Sequence, residues 1–324
     1  MWAITPLLVA VPTYFYLRAL RSIDRFEREP ARYVLAAFGW GAAPAVLLAI
    51  LAQLILGLPV EAIFGSESLG ARLVESSIFA PLTEEILKAT AVALIFALRR
   101  REFDGWVDGI VYGAAAGFGF AYVENVFYLI GAESWGEWLT LFFLRVIVFG
   151  FMHGFWTSLV GIGFGIARHS RRSSTAKAVI VLGMLGLAMA SHFVHNAAIT
   201  LAESSGGATF LIALANYGLV ALLFIGLSVT SLYHDRRMLR AYLADEVPAR
   251  LSPEDYAALT GVGVNAGARL RLLSRQRQSL VQTAAELAQR KYQFVRHGNA
   301  DGAGADIVAL RDQLARLSAT GAPR

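Results

Sequence analysis

Seven stretches of the chain are apolar over about 20 positions, the length that an α-helix needs to cross a hydrocarbon core. They fall near residues 2–18, 33–57, 73–98, 107–130, 138–166, 178–201 and 208–233, with short polar loops between them. Beyond residue 234 the pattern changes. Ser252-Pro-Glu-Asp255 is a capping box with proline at the first helical position. From about 268 to 295, Leu, Val and Ala recur at three- and four-residue spacing, and a third helical pattern, about 306–317, follows a glycine-rich break. The pattern predicts an all-α fold. Residues 1–234 form a polytopic membrane helical bundle of about seven transmembrane helices, and 235–324 form a cytosolic helical tail.

Composition agrees with that division. Of 324 residues, 56% are hydrophobic and 16% are charged, and the mean hydropathy is +0.53. A soluble globular domain carries fewer apolar and more charged residues. Cysteine is absent, which excludes disulfides, thiolate metal sites and a cysteine nucleophile. The first residues, Met-Trp-Ala-Ile-Thr-Pro, lack a basic n-region, so the first apolar run is expected to be a retained helix.

Charge orients the bundle. The loops at 18–32, Arg99-Arg-Arg101 and 168–177 are basic. Those around Glu61 and Glu67 and from Glu133 to Glu137 are acidic, and 203–207 holds no lysine or arginine. The positive-inside rule then puts the N-terminus outside and the C-terminus in the cytoplasm of a multi-pass protein in the cell membrane. Residues 1–234 hold 15 basic and 15 acidic residues. The tail holds the other 14 basic and 9 acidic ones, and hence the whole net charge of +5. Such a tail is a solvated helical domain, with docking to anionic lipid or a cytosolic partner as the sharper expectation, since basic residues gain about 1 kcal/mol each at an anionic leaflet. No nucleic-acid partner is expected.

The polar residues inside the spans carry the chemistry. Phe79-Ala-Pro-Leu-Thr-Glu-Glu-Ile-Leu-Lys88 places two glutamates and a lysine in an apolar run, at a cost of roughly 2.5–3.5 kcal/mol each on insertion scales. Glu84 and Lys88 are four apart and can pair. Glu85 is turned about 100° away and needs another partner, while Pro81 loosens the helix beside them. In the fourth span Gly109, Gly113 and Gly117 make a close-packing face that continues through Phe120 to Glu124, with Arg145 of the fifth span as a candidate ion-pair partner. Gly150, Gly154, Gly161 and Gly165 form another such stripe beside His153. His192, His195 and Asn196 share one arc of the sixth span.

At about 1.5 Å per residue, Glu84, Glu124, His153 and His192 all lie between the outer third and the middle of the bilayer, on four different spans. One polar cavity can collect them. A glutamate there can act as general base on water, with histidine and asparagine holding the oxyanion. Alternatively, His and Glu side chains hold a divalent metal such as zinc that lowers the pKa of the water to about 7. The spacing lacks HExxH. Buried Glu, Lys and His also suit a proton-coupled transporter, and a non-catalytic membrane scaffold is a third alternative.

Taken together, these residues resemble the PrsW family of intramembrane proteases, which is distantly related to the type II CAAX-processing peptidases. The resemblance covers roughly residues 1–234. It starts at Asp24-Arg-Phe-Glu-Arg-Glu-Pro30 and includes EEILK (Glu84 to Lys88), matching EExxK, and Phe120-Ala-Tyr-Val-Glu124, matching FxxxE. His153 and His192 stand at the family's histidine positions, with Asn196 four residues on where Asp or Asn is usual. The resemblance implies hydrolysis of a membrane-protein substrate, such as a single-pass anti-sigma factor, near its extracytoplasmic side. It assigns the base and a second carboxylate to Glu84 and Glu85, the ion pair to Lys88, and water or metal binding to Glu124, His153 and His192.

Overall fold

The structure is a computed structural model of the whole chain, and it describes residues 2–20, 29–65, 68–99, 102–103, 105–170, 172–261, 275–299 and 302–321. Residues 24–28 of the DRFEREP segment, Glu67, Arg101 and residues 268–274 of the predicted tail helix lie outside that set. The chain forms two compact units, divided between Gly226 and Leu227.

The first unit is helical throughout, with no strand among the described residues. Its long helices are α1 (Trp2–Leu20), α2 (Ala31–Phe64), α3 (Ala80–Leu98), α4 (Trp106–Ile130), α5 (Met152–His169), α6 (Ser174–Thr200) and α7 (Ala208–Leu243), the last running on into the second unit. Among the described residues, six helical stretches are long and apolar enough to cross a membrane, and they answer to six of the seven predicted spans. The seventh, α3, differs because Glu84, Glu85 and Lys88 interrupt an otherwise apolar helix. Leucines 47, 51, 54 and 58 of α2, Leu182 of α6 and Leu219 and Leu222 of α7 lie exposed, as lipid-facing side chains must.

At the centre stands α4, buried along most of its length. Its small residues explain this. Lipid tails are as apolar as leucine, so membrane helices associate through close packing and polar contacts instead. A Cβ at Gly109 would lie 2.1 Å from the carbonyl oxygen of Gly161, and one at Gly117 would lie 2.2 Å from that of His153. Backbone therefore rests on backbone along the α4–α5 pair. This contact fixes their register and delivers His153 about two turns from Glu124. Behind it, Met152, Trp156, Leu159 and Val160 of α5 pack with Ala188 of α6 and Val220 of α7.

Three wide π-helical turns adjoin this core: Gly41–Ala45 within α2, Glu75–Phe79 ahead of α3, and Phe142–Val148 ahead of α5. Such turns are rare and frequent at functional sites. The one before α3 has a local cause. Ala80 N–H bonds Glu75 O, and Pro81 then has no N–H to offer the next carbonyl in that register, Ser76 O.

The second unit has a core of its own, built from Leu239, Leu243, Leu251, Leu259, Leu280, Leu287 and Leu314 among others. It comprises the end of α7 with α8 (Pro253–Thr260), α9 (Arg275–His297) and α10 (Ala303–Gly321). Ser252 Oγ accepts the Asp255 N–H at 3.0 Å, as the capping box requires. Glycines 298 and 302, both at positive φ, make the break before α10. Glu246 is fully buried beneath Arg250 at 2.9 Å, Arg311 at 2.7 Å and Lys291, so three of the tail's basic residues serve its own fold.

Candidate active site

Four helices converge on one chain of polar contacts. Lys88, on α3, has no exposed surface. Its ammonium lies 2.6 Å from Glu85 Oε1, 2.8 Å from His153 Nδ1 and 3.6 Å from Glu84 Oε2, and it stands 4.5 Å above the Phe120 ring. The expected Glu84–Lys88 pair is therefore present but is the longer of the two, and Glu85, not Glu84, makes the tight contact. The physical reason is that both spacings bring side chains together on a helix, and His192 decides between them. Its Nδ1–H donates to the same Glu85 Oε1 at 2.9 Å, drawing that carboxylate towards Lys88.

His192 is oriented from several sides. Trp156 stacks on it at 3.9 Å between ring centroids, and the Trp156 indole N–H donates to Ser191 Oγ at 2.9 Å. With its Nδ1–H on Glu85, the ring keeps a lone pair on Nε2, the pattern of a carboxylate-backed histidine ligand. The Asn196 amide lies 3.2 Å from that Nε2 and donates to Ser76 O at 2.7 Å. Asn196 thus supplies the donor that Pro81 withholds and ties α6 to the π-turn before α3. Asn196→Ala should leave Ser76 O unpaired and free the His192 ring. Activity should drop about 10–100-fold and stability by about 1–3 kcal/mol. Cleavage assays and thermal unfolding in detergent would check this, and wild-type behaviour in both would remove Asn196 from the site.

His153, at the start of α5, is held at both ring nitrogens. Its Nε2 lies 2.9 Å from Glu124 Oε2 and its Nδ1 faces Lys88, with Glu84 Oε2 4.0 Å away. Glu124 in turn meets Arg145 at 3.1 Å. Glu84 is buried. Its Oε1 accepts from Gln53 Nε2 at 3.3 Å, while its Oε2 is buried with no hydrogen-bond donor on it.

The seven candidate residues thus meet in one cluster. His195 does not join it: its ring lies edge-on to Phe149 at 4.7 Å. Gln53, Thr157 and Ser76 were not anticipated. Gln53 carried a signal, as a lone amide in an apolar span, and Thr157, one turn after His153, donates to His153 O at 3.0 Å and lies 3.5 Å from Glu85 Oε2. Ser76 contributes only a backbone carbonyl, which no side-chain pattern reveals.

The bundle and its centre define a class, polytopic membrane proteins with a buried carboxylate–histidine site. Within that class the chain belongs to the PrsW family of intramembrane metalloproteases, whose sequence profile matches residues 29–227. It is 33% identical over 163 residues to Protease PrsW of Geobacillus kaustophilus (strain HTA426), a match covering 49% of this chain and 63% of that protein. It is 29% identical over 173 residues to Protease PrsW of Bacillus subtilis (strain 168), covering 52% and 69%. Against Protease PrsW of Clostridioides difficile (strain 630) it is 32% identical over 124 residues, covering 38% and 49%. The chain thus spans less than two thirds of the first of these relatives and about half of the third. No solved structure matches it.

The family description implies a metal, and the donors suit one. Glu84, His153 and His192 each offer a ligand atom, all within 4.8 Å of one another, and the unpaired Glu84 oxygen is among the acceptors nearby. The expected set had Glu124 where Glu84 stands here; Glu124 Oε2 lies 3.1 Å from Arg145 and 2.9 Å from His153.

Proposed function

We propose that this chain is an endopeptidase that hydrolyses a peptide bond of a membrane-protein substrate within the bilayer. One observation carries the reading. A buried carboxylate oxygen without a donor, Glu84 Oε2, lies beside two histidines whose remaining nitrogens are tied to other carboxylates. Glu84 is the acceptor for a proton from the attacking water and returns it to the leaving amine. Glu85, engaged by both Lys88 and His192, keeps those two groups in place. Lys88 is the donor closest to where negative charge develops on the scissile carbonyl. In a metal-dependent version, Glu84, His153 and His192 would instead hold a divalent metal, which when bound acidifies water and polarises the carbonyl.

The loop charges support an outside N-terminus and a cytoplasmic C-terminus. A single-pass, anti-sigma-factor-like substrate cut near its extracytoplasmic side fits that orientation, and the basic tail would then face the anionic leaflet or a cytosolic partner.

The test compares N-terminal peptide maps of membranes carrying equal amounts of wild type or Glu84→Gln. Membrane-proximal N-termini that appear only with wild type are expected, with at least about a 10³-fold loss in the variant, in the range seen on removing a key catalytic group. A chelator arm sorts metal from carboxylate chemistry. Identical maps, together with pH-driven solute flux, would replace the protease by a proton-coupled transporter.

A further inference from the structure

We propose that Asn216 is a positioning residue: from α7 its amide fixes the Ser191 hydroxyl as the acceptor for the Trp156 indole, and so holds the ring on which His192 is stacked. The catalytic consequence rests on the protease reading, whereas the hydrogen-bond geometry does not.

From Phe210 to Gly226, α7 carries one amide, Asn216, in a run that is otherwise apolar apart from Tyr217. A polar side chain in such a span needs a partner. Asn216 finds two on one residue of α6. Its Nδ2 donates to Ser191 O at 2.9 Å, and its Oδ1 accepts from Ser191 Oγ at 3.0 Å. These directions are forced. A carbonyl only accepts, so the amide turns its NH₂ to Ser191 O and its oxygen to the hydroxyl. The hydroxyl has one proton, which goes to Oδ1. Its lone pairs are left for the Trp156 indole N–H, a donor only, which lies 2.9 Å away.

Helical hydroxyls elsewhere in this chain behave differently. Thr13, Ser76, Thr83, Thr140 and Thr157 each donate to the carbonyl four residues back. For Ser191 that carbonyl is Leu187 O, and Asn216 draws the hydroxyl away from it. Without Asn216 the hydroxyl reverts to the local bond, and Oγ swings off the indole N–H. Both site histidines register the change. Trp156 is buried, stacks on His192 at 3.9 Å with 15° between the planes, and meets His153 edge-on at 5.1 Å.

The test uses the full chain in detergent with ¹⁵N-indole-labelled tryptophan. Of the six tryptophans, Trp156 is assigned by the signal lost in Trp156→Phe. In wild type its N–H should resonate downfield, as a hydrogen-bonded indole. Ser191→Ala removes the acceptor and leaves the Asn216 bond to Ser191 O in place, so it separates the indole from the α6–α7 tie. Asn216→Leu should shift the Trp156 signal upfield as Ser191→Ala does. Asn216→Asp, which keeps an oxygen on the hydroxyl, should hold the wild-type position. On a substrate found by peptide mapping, each of Ser191→Ala and Asn216→Leu should lower kcat about 10-fold with KM little changed. The double variant should also lose about 10-fold, not the product of the two, because both act through one hydroxyl. A wild-type Trp156 signal in folded Asn216→Leu would overturn the proposal, as would a wild-type kcat or losses that multiply. Asn216→Ala, which removes the same amide with less bulk, is read in the same way if Asn216→Leu does not fold. If wild type cleaves nothing, the protease reading fails while the indole signal still decides the role of Asn216.

Discussion

Lys88→Met is expected to cost about 3–5 kcal/mol of stability, the loss typical when one partner of a buried ion pair is removed, and to abolish cleavage. Methionine keeps the length and apolar body of the side chain but leaves Glu85, with no exposed surface, without its 2.6 Å counter-charge. Glu84 loses its cation at 3.6 Å and His153 its donor at 2.8 Å in the same step. The informative comparison is Lys88→Met/Glu85→Gln. Removing both charges of a buried pair is often close to neutral, so the double variant should regain most of the stability and none of the activity. Thermal unfolding of the purified proteins in one detergent measures the first, and the peptide maps measure the second. A double variant no more stable than Lys88→Met would mean that the lysine is held by packing and not by its charge.

That contrast also marks what the chain displays as text. The spans, the loop charges and the convergence of Glu84, Glu124, His153 and His192 at one depth are properties of one-dimensional spacing, since helices rise by a fixed amount per residue. The capping box at Ser252 is legible for the same reason. The pairing within the site is not. Glu84 at four residues and Glu85 at three are both in reach of Lys88, and the choice depends on His192, more than 100 residues away in the chain. The tail's charge is similarly ambiguous in sequence, because Lys291 and Arg311 count towards a basic surface until Glu246 and Asp245 are seen beneath them. The π-turns are invisible for a different reason. They answer to tertiary demands: Gly41 accommodates α4, where a Cβ would lie 2.0 Å from Ala116 O, and the turn at Glu75–Phe79 takes its missing donor from α6.

Gly117→Ala should be among the most damaging single-methyl substitutions in the bundle. A Cβ at this position would stand 2.2 Å from His153 O, 2.5 Å from His153 C and 2.7 Å from Gly154 N. All three are backbone atoms, so no side-chain rotation relieves the clash, and α4 and α5 must move apart. Overpacking of this kind costs about 1–3 kcal/mol, occasionally more. The displaced atoms belong to His153 itself, whose ring then leaves the 2.9 Å contact with Glu124 and the 2.8 Å contact with Lys88. A 1 Å misplacement of a catalytic group can cost about 10²-fold, so activity should fall by at least that factor even in the folded fraction. Gly183→Ala in α6 is the matched control. It adds the same methyl to a helix where nothing lies within 4 Å, and helix propensity alone should make it neutral or stabilising by up to about 1 kcal/mol. If Gly117→Ala melted and cleaved like Gly183→Ala, the α4–α5 backbone contact would not be what places His153. The register of the site would then have to come from the ion pairs, and the Lys88 variants would report it directly.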